Sequence, residues 1–203
     1  MAFPLTNFSP SSVYLSQDAD DVALVEQSLG GDQRAFELLI QRHQRALFTV
    51  AARMLGSRDE AADATQNAFV RVYQHLGTYD PRHRFYSWIY RILVNECLNV
   101  LRGRRHATEP AETQVDPSGG PLEALQASER RRHVQQALLA LPADLRAVIV
   151  LRHYAGLSYE EIGEAVGGLP VKTVKSRLYT ARQRLGPLLF GWQHDAQISR
   201  RRD

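Results

Sequence analysis

Residues 158–185 read SYEEIGEAVGGLPVKTVKSRLYTARQRL, and this stretch decides the fold. Ser158 followed by Glu161 is a capping box, in which the hydroxyl accepts a first-turn N–H and the carboxylate reaches back to the cap. Ile162, Ala165 and Val166 then recur at helical spacing, so a short helix with one apolar side is expected. Gly167-Gly168-Leu169-Pro170 forms the turn. A second helix starts near Val171, with Val174, Leu178, Ala181 and Leu185 as its inward stripe. At about 100° per residue the opposite face carries Lys172, Ser176, Tyr179 and Gln183. Thr173, Lys175, Arg177 and Arg182 flank it. This is the pattern of a helix-turn-helix. Its second helix offers amides and hydroxyls to base edges at the centre and cations to phosphates at the rim. Its N-terminal residues, from Val171 on, enter the groove first. A helical hairpin with a wet basic face has the same outline, but capping box, glycine turn and polar-centred face together favour DNA.

The charge distribution agrees. Net charge is only +3, with 22 acidic residues. Yet no acid occurs between Glu164 and Asp195, and the chain's only two lysines, Lys172 and Lys175, fall in that gap. An acid-free basic run of this kind suits a phosphate-facing surface.

Outward from this motif the chain reads as helix throughout. Residues 1–19 are polar and aperiodic and are expected to be a flexible extension. Phe36, Leu39, Ile40, His43, Leu47, Val50 and Met54 form one apolar face, with His43 a packed core residue. Gly56 ends that helix, and Ser57 with Glu60 forms a second capping box. The next helix turns Ala61, Ala68, Phe69, Val72, Tyr73 and Leu76 inward. A third runs from about Arg84 to Arg102. Residues 106–121, rich in Pro and Gly, read as a linker. Helical periodicity resumes from about residue 122 to Leu189, leaving 190–203 as a tail. No period-two alternation occurs, so the expected fold is all-α: two small helical domains, 20–105 and 122–189, on a flexible linker, the second a helix-turn-helix.

Other classes are poorly supported. The seven histidines are scattered, with no His/Cys cluster at metal spacing, so neither metal nor cofactor is expected. There is no phosphate-binding glycine loop or nucleophile elbow, so the chain is not expected to be an enzyme. With Cys97 alone, no internal disulfide forms, which fits a reducing cytoplasm. No run approaches the roughly 20 apolar residues of a membrane helix, and the N-terminus lacks the pattern of a secretory signal.

Two segments together resemble one family. SYEEIGEAV, the turn and TVKSRLYTARQRL, preceded by LPADLRAVIVLRHYAGLS, resemble the terminal DNA-binding region of extracytoplasmic-function (ECF) sigma factors of bacterial RNA polymerase. Independently, GDQRAFELLIQRHQRALFTVAARMLGSRDEAADATQNAFVRVYQHL and FYSWIYRILVNECLNVLRGRR resemble the N-terminal domain of that family. The resemblance implies a factor that binds core polymerase, recognises and opens promoters, and starts transcription of a specific set of genes. It also implies contacts with the beta-prime clamp helices and the beta flap, and an anti-sigma factor as a possible regulator.

By the same resemblance, Asp59, Glu60, Asp63, Gln66, Asn67, Arg71 and Gln74 would meet core polymerase. Ala62 and Asn67 replace acids common at this site, which leaves room for added phosphate charge at Thr65. The segment 78–102 would recognise and melt the minus-ten element. Its aromatics Tyr79, Phe85, Tyr86, Trp88 and Tyr90 are interleaved with Arg82, Arg84 and Arg91, a mixture that takes unstacked bases and backbone; for Trp88 a core role is favoured. Ser87, Arg91, Asn95, Asn99 and Arg102 form a polar stripe along the same helix, with Asn99 where the family often has Asp. Val171, Lys172, Thr173, Lys175, Ser176, Arg177, Tyr179 and Arg182 would read the minus-thirty-five element. The turn GGLP is one residue longer than the usual pattern, and Lys172 replaces a common Gly, so exact base contacts do not carry over. The competing reading is a helix-turn-helix regulator that binds an operator without core polymerase, for which an aromatic-basic melting segment would have no use.

Overall fold

The structure is a computed structural model that describes residues 11–106 and 122–199. Every regular element among them is helical. Helix α1 (Ser11–Leu29), α2 (Gln33–Leu55), α3 (Arg58–His75) and α4 (Phe85–His106) form the N-terminal unit, with a 3-10 turn at Leu76–Thr78. Helix α5 (Leu122–Leu139), α6 (Ala143–Tyr154), α7 (Tyr159–Ala165) and α8 (Val171–Ser199) form the C-terminal one. Of the expected linker, 106–121, His106 is the last residue of α4, and the rest lies outside the described residues.

Two expectations about the ends need correction. Helix α1 begins at Ser11, inside the stretch read as a flexible extension. Helix growth is cooperative once a segment is docked, and α1 packs along α2. Helix α8 continues to Ser199, past the expected end at Leu189. Pro187 removes the bond to the carbonyl of Gln183 and crowds it, but Gln183 is exposed, so that carbonyl faces solvent.

Sequence explains most joints. Asp32 caps α2, its side chain accepting from Arg34 N–H at 2.9 Å. Gly56 closes α2 in the left-handed region, φ 77°, where a side chain would be strained. Ser57 caps α3, but the reciprocal half of the expected box is missing. Glu60 turns away from the cap and takes Arg104 of α4, with Nε at 3.0 Å. Around Ser158 the box is complete: Ser158 Oγ accepts from Glu161 N–H at 3.2 Å, and Glu161 Oε2 accepts from Ser158 N–H at 2.7 Å.

The core of the N-terminal unit is Leu39, Leu47, Val50, Met54, Ala61, Ala68, Phe69, Val72, Phe85, Ile89 and Leu93. His43 is buried as expected, with a partner that periodicity does not reveal. Asp21 of α1 accepts from Arg42 at 2.6 Å and lies 2.9 Å from His43 Nε2, an ionic seam between α1 and α2. In the C-terminal unit every residue from Leu145 to Leu151 is buried. Helix α6 has no wet side there because α8 covers one flank and α2 the other.

That last contact joins the two units, whose relative placement the sequence leaves open. Of the last-turn carbonyls of α2, Ala52 O accepts from the capping Gly56 N–H at 2.9 Å and those after it run out of helical donors; side chains from elsewhere reach them. Gln135 Nε2 donates to Ala52 O at 3.2 Å and Arg53 O at 3.3 Å. The buried guanidinium of Arg146 donates to Met54 O, and also to Leu139 O at 2.8 Å and Leu141 O at 3.0 Å. Arg104 donates to Leu55 O at 3.0 Å. Arg53 completes the seam, donating to Gln135 Oε1 at 2.9 Å and lying 5.0 Å over the Tyr154 ring. Burial and the neighbouring Arg104 pull the pKa of Arg146 down to about 10, still well above neutrality, so it stays charged.

Candidate nucleic-acid and polymerase interfaces

The helix-turn-helix packs as its spacing requires. Ile162 and Ala165 of α7 are buried with Val174, Leu178 and Ala181 of α8. The turn is tight enough to need three glycines. Gly167 and Gly168 have φ 100° and 79°. A Cβ on Gly163 would lie 2.3 Å from the carbonyl oxygen of Leu169, which lies within the turn. Gly163 O in turn accepts from Gly168 and Leu169 N–H, both at 2.9 Å. The importance of Gly163 was missed from sequence, although a glycine inside a helix is a sign of close backbone approach.

The outer face of α8 is open. Lys172, Lys175, Ser176, Tyr179, Arg182 and Gln183 are exposed, and Val171, Thr173 and Arg177 are half-buried. Tyr179 keeps 66% of its surface, unusual for a tyrosine without a partner in view. Lys175 Nζ and Arg152 Cζ lie 5.4 and 5.0 Å from the centroid of the Tyr159 ring, which braces both cations beside the helix. Arg177 differs from the rest: it pairs with Asp144 at 3.8 Å and faces α6. It lies at the edge of the face, half-buried between protein and solvent.

The residues expected on α4 divide into two groups. Arg91, Asn95, Asn99 and Arg102 are exposed and aligned. Ser87, expected to head the same stripe, is buried, its Oγ donating to Glu161 Oε1 at 3.0 Å. Arg84 reaches the same oxygen at 3.5 Å, and Tyr86 donates its hydroxyl to Ala155 O. His83 Nδ1 lies 3.6 Å from Glu164. Arg82 is exposed but held by Asp80, with Nε at 2.8 and 3.0 Å from the two carboxylate oxygens, and this pair lowers Asp80 to about 2. The aromatic crowd is largely structural. Phe85 and Tyr90 are fully buried, Trp88 packs on Phe85 and Tyr79, and the Tyr79 hydroxyl donates to His83 O at 2.6 Å. Aromatic side chains bury more apolar area than any others, so in a small helical domain they are recruited to the core first.

On α3, Asp59, Asp63, Gln66, Asn67 and Gln74 are exposed along one side, as spacing predicts. Two of the other expected residues are engaged internally: Glu60 by Arg104, and Arg71 by the buried carboxylate of Glu96 at 2.5 Å. Tyr73, expected inward, is 59% exposed, with its ring edge on Phe36 at 5.0 Å. Val70 beside it is also exposed. Sequence reading missed this apolar centre because both residues border the inward stripe. Thr65 is buried and donates its hydroxyl to Ala61 O at 2.6 Å, so it is not available to carry a phosphate in this arrangement.

Comparison with known proteins places these surfaces in a family. Residues 39–107 match Sigma-70 region 2, and residues 131–185 match Sigma-70, region 4. The ECF RNA polymerase sigma-E factor of Escherichia coli K12 is 38% identical over 83% of this chain and 94% of its own length. The chain belongs to the ECF sigma factors. The RNA polymerase sigma-H factor of Pseudomonas aeruginosa is 36% identical over 86% of the chain and 96% of its own length. Among solved structures, CnrH in complex with the cytosolic domain of CnrY superimposes with a TM-score of 0.66 at 32% identity, covering 86% of this chain and 99% of that one. The sigma factor RpoE of Bartonella quintana, in complex with the anti-sigma factor NepR, gives 0.63 at 26% identity over 76% and 96%. As a sigma factor, the protein binds core RNA polymerase and directs promoter-specific initiation. Among the described residues no helix is long and apolar enough to cross a membrane.

Proposed function

We propose a division of labour between three surfaces of this sigma factor. The outward side of α3, from Asp59 to Gln74 with Val70 and Tyr73 at its centre, docks on the clamp helices of the polymerase beta-prime subunit. The outer stripe and first turn of α4 recognise and open the minus-ten element. The open face of α8 reads the minus-thirty-five element, and its domain also meets the beta flap. The functional units are 20–105 and 122–189. All nucleotidyl chemistry belongs to the polymerase, so this chain contributes binding energy alone and acts in the cytoplasm. An anti-sigma protein is a fitting regulator, since the RpoE of Bartonella quintana was solved with one.

The observation that carries this reading is the exposed face of α8, where Lys172, Ser176, Tyr179 and Gln183 are open at the centre and Lys175 and Arg182 at the rim. Such a face combines groove readout with phosphate anchoring. Transcription in vitro with purified core polymerase on a genomic library tests it. Promoter-specific starts that require this chain are expected, sharing sequence near minus ten and minus thirty-five. Tight binding to a symmetric operator without core polymerase would overturn it.

A further inference from the structure

The entry to α4, from His83 through its first turn, is already occupied, and its occupant is acidic. Glu161 and Glu164 of α7 face His83, Arg84 and Ser87, with Glu161 Oε1 accepting from both Arg84 and Ser87. A DNA phosphate would present the same charge and the same acceptor oxygens to these donors. On the far side of the joint, Gln135 and Arg146 cap the end of α2, and Arg53 holds Gln135 and Tyr154. Gly56 fits the joint closely: a Cβ there would come within 2.6 Å of the Leu139 side chain. The contact between the units is thus built at two separate places, a cap on α2 and a carboxylate cover on α4.

We propose that the free sigma factor masks its own promoter-opening segment, with α7 standing in for DNA on the first turn of α4 and the α2 cap holding it closed. The proposal rests on the reading of that turn as DNA-facing. Opening must then precede engagement of the minus-ten element. A factor whose competent form is a minority binds with an apparent affinity reduced by that fraction. Glu161 links the two states. Its Oε2 completes the capping box of α7 in either state, while its Oε1 is exchanged for solvent on opening.

The test is Arg53→Ala combined with Gln135→Ala in the full chain. Neither residue belongs to the proposed polymerase or DNA surfaces. Two readouts are needed. The first is the distance between spin labels on cysteines placed at the exposed positions His75 and Arg131. Cys97 does not compete for label, being buried with its thiol pushed up to about 12. The second is the concentration of factor giving half-maximal transcription at fixed core polymerase. We expect longer distances, and a half-maximal concentration lower by about three- to tenfold with an unchanged plateau. Glu164→Gln, which removes only the pair with His83, should shift both the same way by less and guards against misfolding of the double variant. Unchanged distances, or longer distances with an unchanged or higher half-maximal concentration, would overturn the proposal. Arg84→Ala separates the two readings. A lowered plateau supports contact between α4 and DNA. An unchanged plateau overturns that contact, and with it the masking, even where the open distances are reached.

Discussion

The entry to α4, residues 82–87, and the outer face of α8 are both polar and rich in cations, yet their surroundings differ in kind. In the segment that leads into α4 the cations are matched. Arg84 has Glu161, His83 has Glu164 and Arg82 has Asp80. On α8, among the described residues, no carboxylate pairs with Lys172, Lys175 or Arg182. Unmatched positive charge on a rigid helix is a standing attraction for phosphate, whereas matched charge has to lose a partner before it gains one. On the proposed assignment, the face of α8 is ready for DNA in the free protein, and the entry to α4 is not. Perturbing each side shows how much of the difference is architecture and how much is charge.

The largest effect is expected where architecture holds the α8 face in place. Gly163→Ala drives a methyl group into the Leu169 carbonyl, a backbone atom that cannot step aside. The turn must open, at a cost of about 2–3 kcal/mol. Urea unfolding should show that loss, and promoter binding should fall with it while the α3 surface still binds core polymerase. Stability equal to the parent chain would mean that the turn relaxes freely and that α8 is not fixed by it.

Next come the readers themselves. Lys172→Ala and Ser176→Ala remove central side chains of the exposed face without touching the core. Each should lower promoter affinity about tenfold, roughly 1.4 kcal/mol, and relax preference at one or two base pairs near minus thirty-five. Full transcription by both variants would show that another face of α8 enters the groove.

How far these surfaces were legible in the sequence follows the same contrast. The exposure of the centre of the α8 face was legible because an exposed amphipathic helix needs only periodicity, and its environment is water; Arg177, drawn to Asp144 of α6, was not. Val174, Leu178 and Ala181 point in, so Lys172, Ser176 and Tyr179 point out. On α4 the same logic marked Ser87 as polar and outward, and outward it is, but α7 rather than solvent lies there. Periodicity reports which side of a helix is hydrophilic, not what that side meets. The buried Arg146 and Gln135 escaped notice for the same reason, since their partners are backbone carbonyls 92 and 82 to 83 positions away in the chain. Tyr73 and the Ser57 box failed differently. Tyr73 lies at the edge of the apolar stripe, where one step of 100° decides burial. Glu60 had a choice between the Ser57 cap and a guanidinium, and the charged partner is the stronger.

A smaller and more diffuse effect is expected from the rim. Arg182→Ala should weaken binding to every promoter alike and reduce the slope of log affinity against log salt by about 1, as loss of one phosphate contact requires. A changed base preference with an unchanged slope would make Arg182 a reader instead.

The gentlest probe of the contrast is His153, in the last turn of α6. Its pKa is held below 6.5 by partial desolvation and then by the Arg182 and Arg152 guanidiniums, the mark of a basic surface without counter-charges. A histidine that protonates less readily folded than unfolded favours folding in its neutral form. That contribution is complete above the unfolded value of about 6.5 and is lost as pH falls through it towards the folded value. Stability should therefore decline on mild acidification, and His153→Gln should flatten the decline. Arg182→Ala should move the His153 imidazole titration, followed by NMR, upward. If His153 fails to move, Arg182 extends away from α6, and the positive field over α8 comes from its own residues alone.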